Sequence, residues 1–264
     1  MNNQENHHTL IVNQQEEELL SWLQEFHATR IKPLGQDLPK DIPDSQISRY
    51  NPFRDTKTLK PYSLMIYNIG NPGWSLKFAL SDDMLLKNSL AKLVIDDQVL
   101  ENGSVEGNWL RANVIQEENT FNSVGGALCL SSALYCFKAQ IEGKKLVTED
   151  EIARLQNSRN TMEDNNKLLT WLEDFYFSYC DGDWEHMYGS RLISIKEGWI
   201  LACRINETSV ETKKFDRIIF QDGEGIIECY KCIDDYYFII KVHSKGLIEG
   251  LRMFKDWVES QLFN

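Results

Sequence analysis

Apolar positions follow two rhythms along this chain, and the pair of rhythms occurs twice. Leu19, Leu20, Trp22, Leu23 and Phe26 fall on one helix face at 3.6-residue spacing, as do Leu168, Leu169, Trp171, Leu172 and Phe175. Downstream of each helix the period shortens to two, as in Leu76, Phe78 and Leu80, which marks strands with one face on a core. In the first half the pattern predicts strands over 63–69, 74–80, 92–95 and 109–115, with a short one near Phe121. In the second half it predicts 191–195, 199–205, 215–220, 225–233 and 236–242. A helix closes each half; the second runs from about Gly246 to Phe263, with Leu247, Leu251, Phe254, Val258 and Leu262 on its apolar face. Asn71-Pro72-Gly73 and Lys196-Glu197-Gly198 are turn signals, and strands joined by short turns pair antiparallel.

The two halves are diverged copies. Leu19-Leu20-Ser21-Trp22-Leu23-Gln24-Glu25-Phe26 matches Leu168-Leu169-Thr170-Trp171-Leu172-Glu173-Asp174-Phe175, with five of the eight positions identical. Gly73-Trp74 then corresponds to Gly198-Trp199, and Phe121, Leu130, Leu134, Phe137 and Lys138 to Phe238, Leu247, Leu251, Phe254 and Lys255. The spacing between equivalents shrinks along the chain, so the first copy carries extra residues. All six prolines lie between positions 33 and 72, and five of them fall in a polar stretch at 31–61. Proline lacks an amide donor and fixes φ, so this stretch is expected to hold neither regular helix nor interior strand.

The predicted fold class is therefore α+β: two tandem diverged modules, each helix–antiparallel β-meander–helix. The first module occupies 1–145 with its Pro-rich insertion at 31–61, a linker follows at 146–165, and the second module occupies 166–264. Within the linker Thr148-Glu149-Asp150-Glu151 reads as a helix start, because a Thr oxygen caps first-turn amides that acidic residues complement.

Composition narrows the partners. The formal charge is −12 over 264 residues, and both halves share the excess of acid. An acidic surface repels nucleic acid and membrane phosphates and favours basic partners. No apolar run approaches the ~20 residues that span a bilayer, and the polar N-terminus lacks a signal pattern, so the expected location is the cytoplasm, with no membrane and no direct nucleic-acid partner. The six cysteines are then expected to be reduced thiols.

The one dense cluster of potential ligands is Asp181, Asp183, Glu185 and His186. Its spacing is not that of a calcium loop, which requires a glutamate at position 12, where Leu192 stands here. Three readings compete: a structural turn that pins Trp184, a partner-binding loop with Trp184 and Tyr188 as aromatic anchors, and a metal or catalytic centre. Cys229-Tyr230-Lys231-Cys232 is a lone C-x-x-C in a strand pattern, where its cysteines face opposite sides and read as structural. Asn71, Pro72, Gly73, Trp74, Gly198 and Trp199 read as structural turns. No phosphate loop, catalytic triad or cofactor motif is legible, so no catalytic residue, metal ligand or cofactor is assigned.

Cys180-Asp181-Gly182-Asp183-Trp184-Glu185-His186-Met187-Tyr188-Gly189, straight after a Trp-Leu helix, resembles the signature of the immunity protein 53 family, and the resemblance extends over about 166–264. The family pattern continues to N-P-G-W-S at the opening of a strand. Here that motif stands in the other half, as Asn71-Pro72-Gly73-Trp74-Ser75, while the second half keeps Gly198-Trp199. The resemblance implies a non-enzymatic immunity protein that binds a cognate toxin, expected to be basic and possessing nuclease chemistry in many systems. Asp181, Asp183, Trp184, Glu185, His186 and Tyr188 would then be the contact residues. Two further readings are an acidic nucleic-acid-mimicking inhibitor in phage–bacterium conflict and a metal-binding enzyme centred on Asp181–His186.

Overall fold

The computed structural model describes residues 18–34, 37, 62–70, 72–81, 84, 93–95, 109–143, 147–148, 150–153, 168–187, 189–232 and 236–262. The opening helix, α1, is helical over 18–26 and continues through a π-turn, His27–Ile31, into Lys32–Leu34. Helix thus reaches past Pro33, a correction to the expectation for the Pro-rich stretch. The π-turn changes the hydrogen-bond ladder just before the residue that has no amide to give it. Apart from Asp37, the rest of that stretch lies outside the described residues.

Five strands follow: β1 (Leu64–Ile69), β2 (Gly73–Ala79), β3 (Leu93–Ile95), β4 (Leu110–Ile115) and β5 (Thr120–Gly126). Helix α2 (Leu130–Ile141) closes the first half. The second half repeats the plan with α3 (Leu168–Phe177), a short α4 (Trp184–Met187), β6 (Ser190–Ile195), β7 (Gly198–Arg204), β8 (Ile218–Gln221), β9 (Ile226–Cys232), β10 (Tyr237–His243) and α5 (Leu247–Leu262). Two boundaries differ from the sequence pattern. The strand near Phe121 is seven residues long, and β8 starts only at Ile218. Phe215, expected at the head of that strand, instead packs on Phe238 and Trp257 at centroid distances of 4.7 and 5.5 Å. The helix start expected at Thr148 forms as a capping box: Glu151 N donates to Thr148 Oγ1 (3.2 Å) and Thr148 N to Glu151 Oε2 (2.9 Å).

The ten described strands form one antiparallel sheet in the order β3-β4-β5-β2-β1-β6-β7-β10-β9-β8. Replace each strand by its counterpart in the other half and the order reads the same from either end. Inside each half the strands depart from a straight meander at one point, because β2 takes β5, and β7 takes β10, as second neighbour. The halves join edge to edge through β1 and β6, with Met65 opposite Ile193, Ile66 opposite Leu192 and Tyr67 opposite Arg191. Ile66 and Leu192 are equivalent residues of the two copies, so an approximate twofold axis passes through their pair.

The helices lie on one face of this sheet, over a single buried cluster that draws on both halves. Its aromatic packing is duplicated. Trp22 stacks on Phe26, which meets Phe137 edge-on at 5.7 Å; Trp171 stacks on Phe175, which meets Phe254 edge-on at 5.3 Å. Such pairs contribute roughly 0.5–1.5 kcal/mol each beyond area burial. A small apolar cavity at the junction is lined by Leu20 and Leu23 and by their equivalents Leu169 and Leu172, together with Ile66 and Leu192. Among the described residues, no helix is long and apolar enough to cross a membrane.

The opening helices lock the halves together reciprocally. Gln24 Oε1 accepts from Ile248 N in the first turn of α5, at 2.8 Å. Its equivalent, Glu173, accepts through Oε1 from Ser131 N in the first turn of α2, also at 2.8 Å. Each module therefore satisfies a first-turn amide of its neighbour's closing helix, a group that the helix itself cannot bond. One turn further along, His27 and Tyr176 make the same exchange with the β-turns. His27 Nε2 lies 2.8 Å from the Ile195 carbonyl, at the end of β6. The Tyr176 hydroxyl donates to the Ile69 carbonyl and accepts from Gly73 N, both at 3.3 Å, at the end of β1 and the start of β2.

Candidate functional site

The acidic Trp-His segment begins where α3 stops. Asp181 Oδ1 accepts the amides of Asp183 (3.0 Å) and Trp184 (2.9 Å), which starts the single turn of α4. Glu185 reaches back the other way and accepts the amides of Asp181 (3.1 Å) and Gly182 (3.0 Å). Gly182 sits at φ +102°, a left-handed conformation that side chains other than glycine's resist. The amides of Trp184 and Asp183 hold the Asp181 carboxyl below its ordinary pKa. The Cys180 thiol beside them is pushed up to about 12, first by burial and then by the field of Glu185.

Trp184 is 3% exposed. Its indole N–H donates to Asn206 O at 2.7 Å, and its ring lies 6.0 Å from Tyr176 and 5.8 Å from Tyr179. Glu185 is buried as well, at 5%. Of the residues singled out in this segment, Asp181, Asp183 and His186 face solvent, Trp184 and Glu185 do not, and Tyr188 lies outside the described residues. The segment sits at one end of the two central strands: His186 packs over Gly70 at the end of β1, and Ser190 N donates to Asn68 Oδ1. Asp181 and Glu185 are thus both engaged by backbone amides of the loop itself. Among the described residues, no three His, Cys, Asp or Glu side chains gather closely enough to hold a metal.

The Gly-Trp turns lie under the helices. Trp74 Nε1 donates to Ala127 O (2.8 Å), and Trp199 Nε1 to Ser244 O (3.0 Å), an equivalent carbonyl ahead of each closing helix. A Cβ on Gly198 would stand 1.9 Å from the Val242 carbonyl oxygen, so only glycine lets β7 approach β10 this closely. Pro72, Gly73 and Trp74 occupy the matching turn; Asn71 lies outside the described residues. Tyr176 packs on Trp74 at 5.3 Å, and His27 on Trp199 at 4.5 Å. Each tryptophan is thus covered by a residue of the opposite half. His27 is wholly buried, and desolvation lowers its pKa to about 4 against the opposing pull of its backbone hydrogen bonds. The imidazole is neutral, with Nε2–H donating to Ile195, because a carbonyl can only accept; Nδ1 has no partner.

Burial pushes Cys136, Cys203 and Cys229 up to about 12, which leaves them protonated at neutral pH. Cys229 and Cys232 are free and leave β9 on opposite faces.

The reciprocal residues Gln24, His27, Glu173 and Tyr176 did not stand out in the sequence. Their signal is faint: polar groups at equivalent places on the largely apolar faces of two helices. Another feature that the strand pattern concealed is the exposure of β8, where Ile218, Ile219 and Phe220 are 40%, 60% and 41% exposed.

Two stretches of the chain, residues 53–142 and 169–259, each match the family model described as Immunity protein 53. No curated protein and no solved structure matches the chain.

Proposed function

The chain belongs to the immunity protein 53 family, and from that membership we propose that it binds the toxic domain of a cognate bacterial toxin and neutralises it by steric and electrostatic blocking, without catalysis of its own. The observation that carries this reading is the double family match, which spans the strands and the closing helix of both halves. The net charge of −12 suits a basic target, whose association it would steer and accelerate. In this reading Asp181, Asp183 and His186 meet the toxin, while Trp184 and Glu185 hold the loop from beneath. The backbone hydrogen bonds of Asp181 and Glu185 support the idea, because a loop already rigid loses little entropy on binding.

Co-expression with the product of the neighbouring gene tests the reading. The chain should restore growth to a host that produces the toxic domain and should co-purify with it. Asp183→Asn should slow association and weaken its salt dependence while leaving the melting temperature unchanged. A neighbouring product that is harmless, or that the chain neither neutralises nor binds, would overturn the proposal.

A further inference from the structure

We propose that the outer edge of β8 is where the partner docks: Ile218–Gln221 take up an extended segment of the toxin as an eleventh strand, one with apolar side chains and lysine or arginine at its flanks. This rests on the immunity reading and names the surface that serves it.

The strand ends the sheet, with β9 on one side and no described strand on the other. Every residue of β8 is exposed. Four of the six exposed large apolar side chains among the described residues, Ile218, Ile219, Phe220 and Ile226, lie on this one hairpin. Edge strands are ordinarily shielded by lysine, proline or a covering element, since their open amides and carbonyls recruit other chains. Among the described residues, Ile218-Ile219-Phe220 has no such guard. Through their register with Cys229 and Ile227, Ile218 and Phe220 stand on the helix side of the sheet, and Ile219, opposite Glu228, stands on the other. An added strand would therefore gain backbone hydrogen bonds from the edge and apolar contacts on both faces, the pattern of strand addition.

Charge selects the occupant. Asp216 precedes the strand, and Asp222 and Glu224 follow it, Asp222 3.0 Å from His243 Nε2 and Glu224 3.2 Å from Lys245 Nζ. Arg217, the cation next to it, is half exposed and is engaged by Glu228 and by the Tyr230 ring, 4.8 Å away. An apolar strip with acidic ends, on a molecule of charge −12, fits a segment with basic flanks better than it fits a second copy of itself. The Ile218 end of the strip points to the same end of the sheet as the Asp181 loop, and residues 206–217 run between them, with Asn206 bonded to Trp184 and Ser209 to Tyr179. One partner can reach both.

The test titrates the toxic domain encoded by the neighbouring gene against the full chain, as wild type, Ile219→Lys and Ile219→Val. Because Ile219 is exposed, all three should melt alike. We expect Ile219→Lys to weaken binding by at least about tenfold and Ile219→Val by less than about twofold. Amide exchange over 218–221 should slow in the wild-type complex. If the wild type binds but Ile219→Lys binds equally well and those amides stay unprotected, the docking edge is refuted and the immunity reading survives. If the wild type fails to bind, both fall. If Ile219→Lys instead abolishes a concentration-dependent dimer and spares toxin binding, the occupant is a second copy and the proposal is overturned.

Discussion

Lowering the pH from 7 to 5 should destabilise the protein through His27, which is buried where the opening helix meets the end of β6. The ring is wholly buried, and its pKa in the fold is about 4, against 6.5 when free. Between those values the unfolded chain binds a proton that the folded chain refuses, so stability rises with pH. The contribution is complete above about 6.5 and is lost as the pH falls toward about 4. The full span corresponds to about 3 kcal/mol, and about 2 kcal/mol of it disappears between pH 7 and pH 5. The cause is geometric: protonating Nδ1 would put both a charge and an unsatisfied N–H against the Trp199 ring. His27→Gln keeps a donor for the Ile195 carbonyl and removes the titration. Urea unfolding of both proteins at pH 7 and pH 5 isolates this group from the carboxylates, which titrate in both. The wild type should lose about 2 kcal/mol more than the variant. Parallel losses would refute the assignment of a neutral, buried imidazole at this junction.

Two further outcomes follow from the packing. Glu173→Ala, which strips the Ser131 amide of its acceptor in a buried site, should cost about 1–3 kcal/mol in urea unfolding, whereas Glu173→Gln, retaining a carbonyl oxygen, should cost less than half as much. Gly198→Ala forces a Cβ into the backbone of β10 and should cost about 3 kcal/mol or prevent folding, while Gly223→Ala, with open space around it, should shift stability by less than about 0.5 kcal/mol in the same assay.

Local chemistry was legible in the chain. Periodicity located the opening and closing helices and most strands, because each buries one stripe or one face and the pattern must say so. The Thr148–Glu151 box and the Gly-Trp turns were likewise visible, since caps and close approaches demand particular residues at short range. Three features were not. The union of β1 with β6 is a contact between two edges that each look like any half-buried strand, and nothing near Ile66 or Leu192 announces which edge it will meet. The roles of Gln24 and Glu173 depend on where a helix from the other half begins. In the acidic segment, a tryptophan among four polar residues resembles an exposed anchor. Only the Asn206 carbonyl and the rings of Tyr176 and Tyr179 reveal that it points inward. The run of apolar residues at β8 suggested an ordinary buried strand, and its exposure comes from its place at the end of the order.

The contacts exchanged by the opening helices make the duplication indivisible. Had each module kept its own opening helix for its own caps and turns, the chain would be two beads, able to melt, be truncated or be inherited separately. Because Gln24 and His27 serve the second module, and Glu173 and Tyr176 the first, either half alone would present an uncapped closing helix and an uncovered tryptophan. Such a protein should unfold in a single transition. A nick between the modules should leave two fragments that stay folded only while they hold each other, so that their survival depends on concentration. Divergence between the copies is likewise constrained, because a substitution in one opening helix is felt first by the other module.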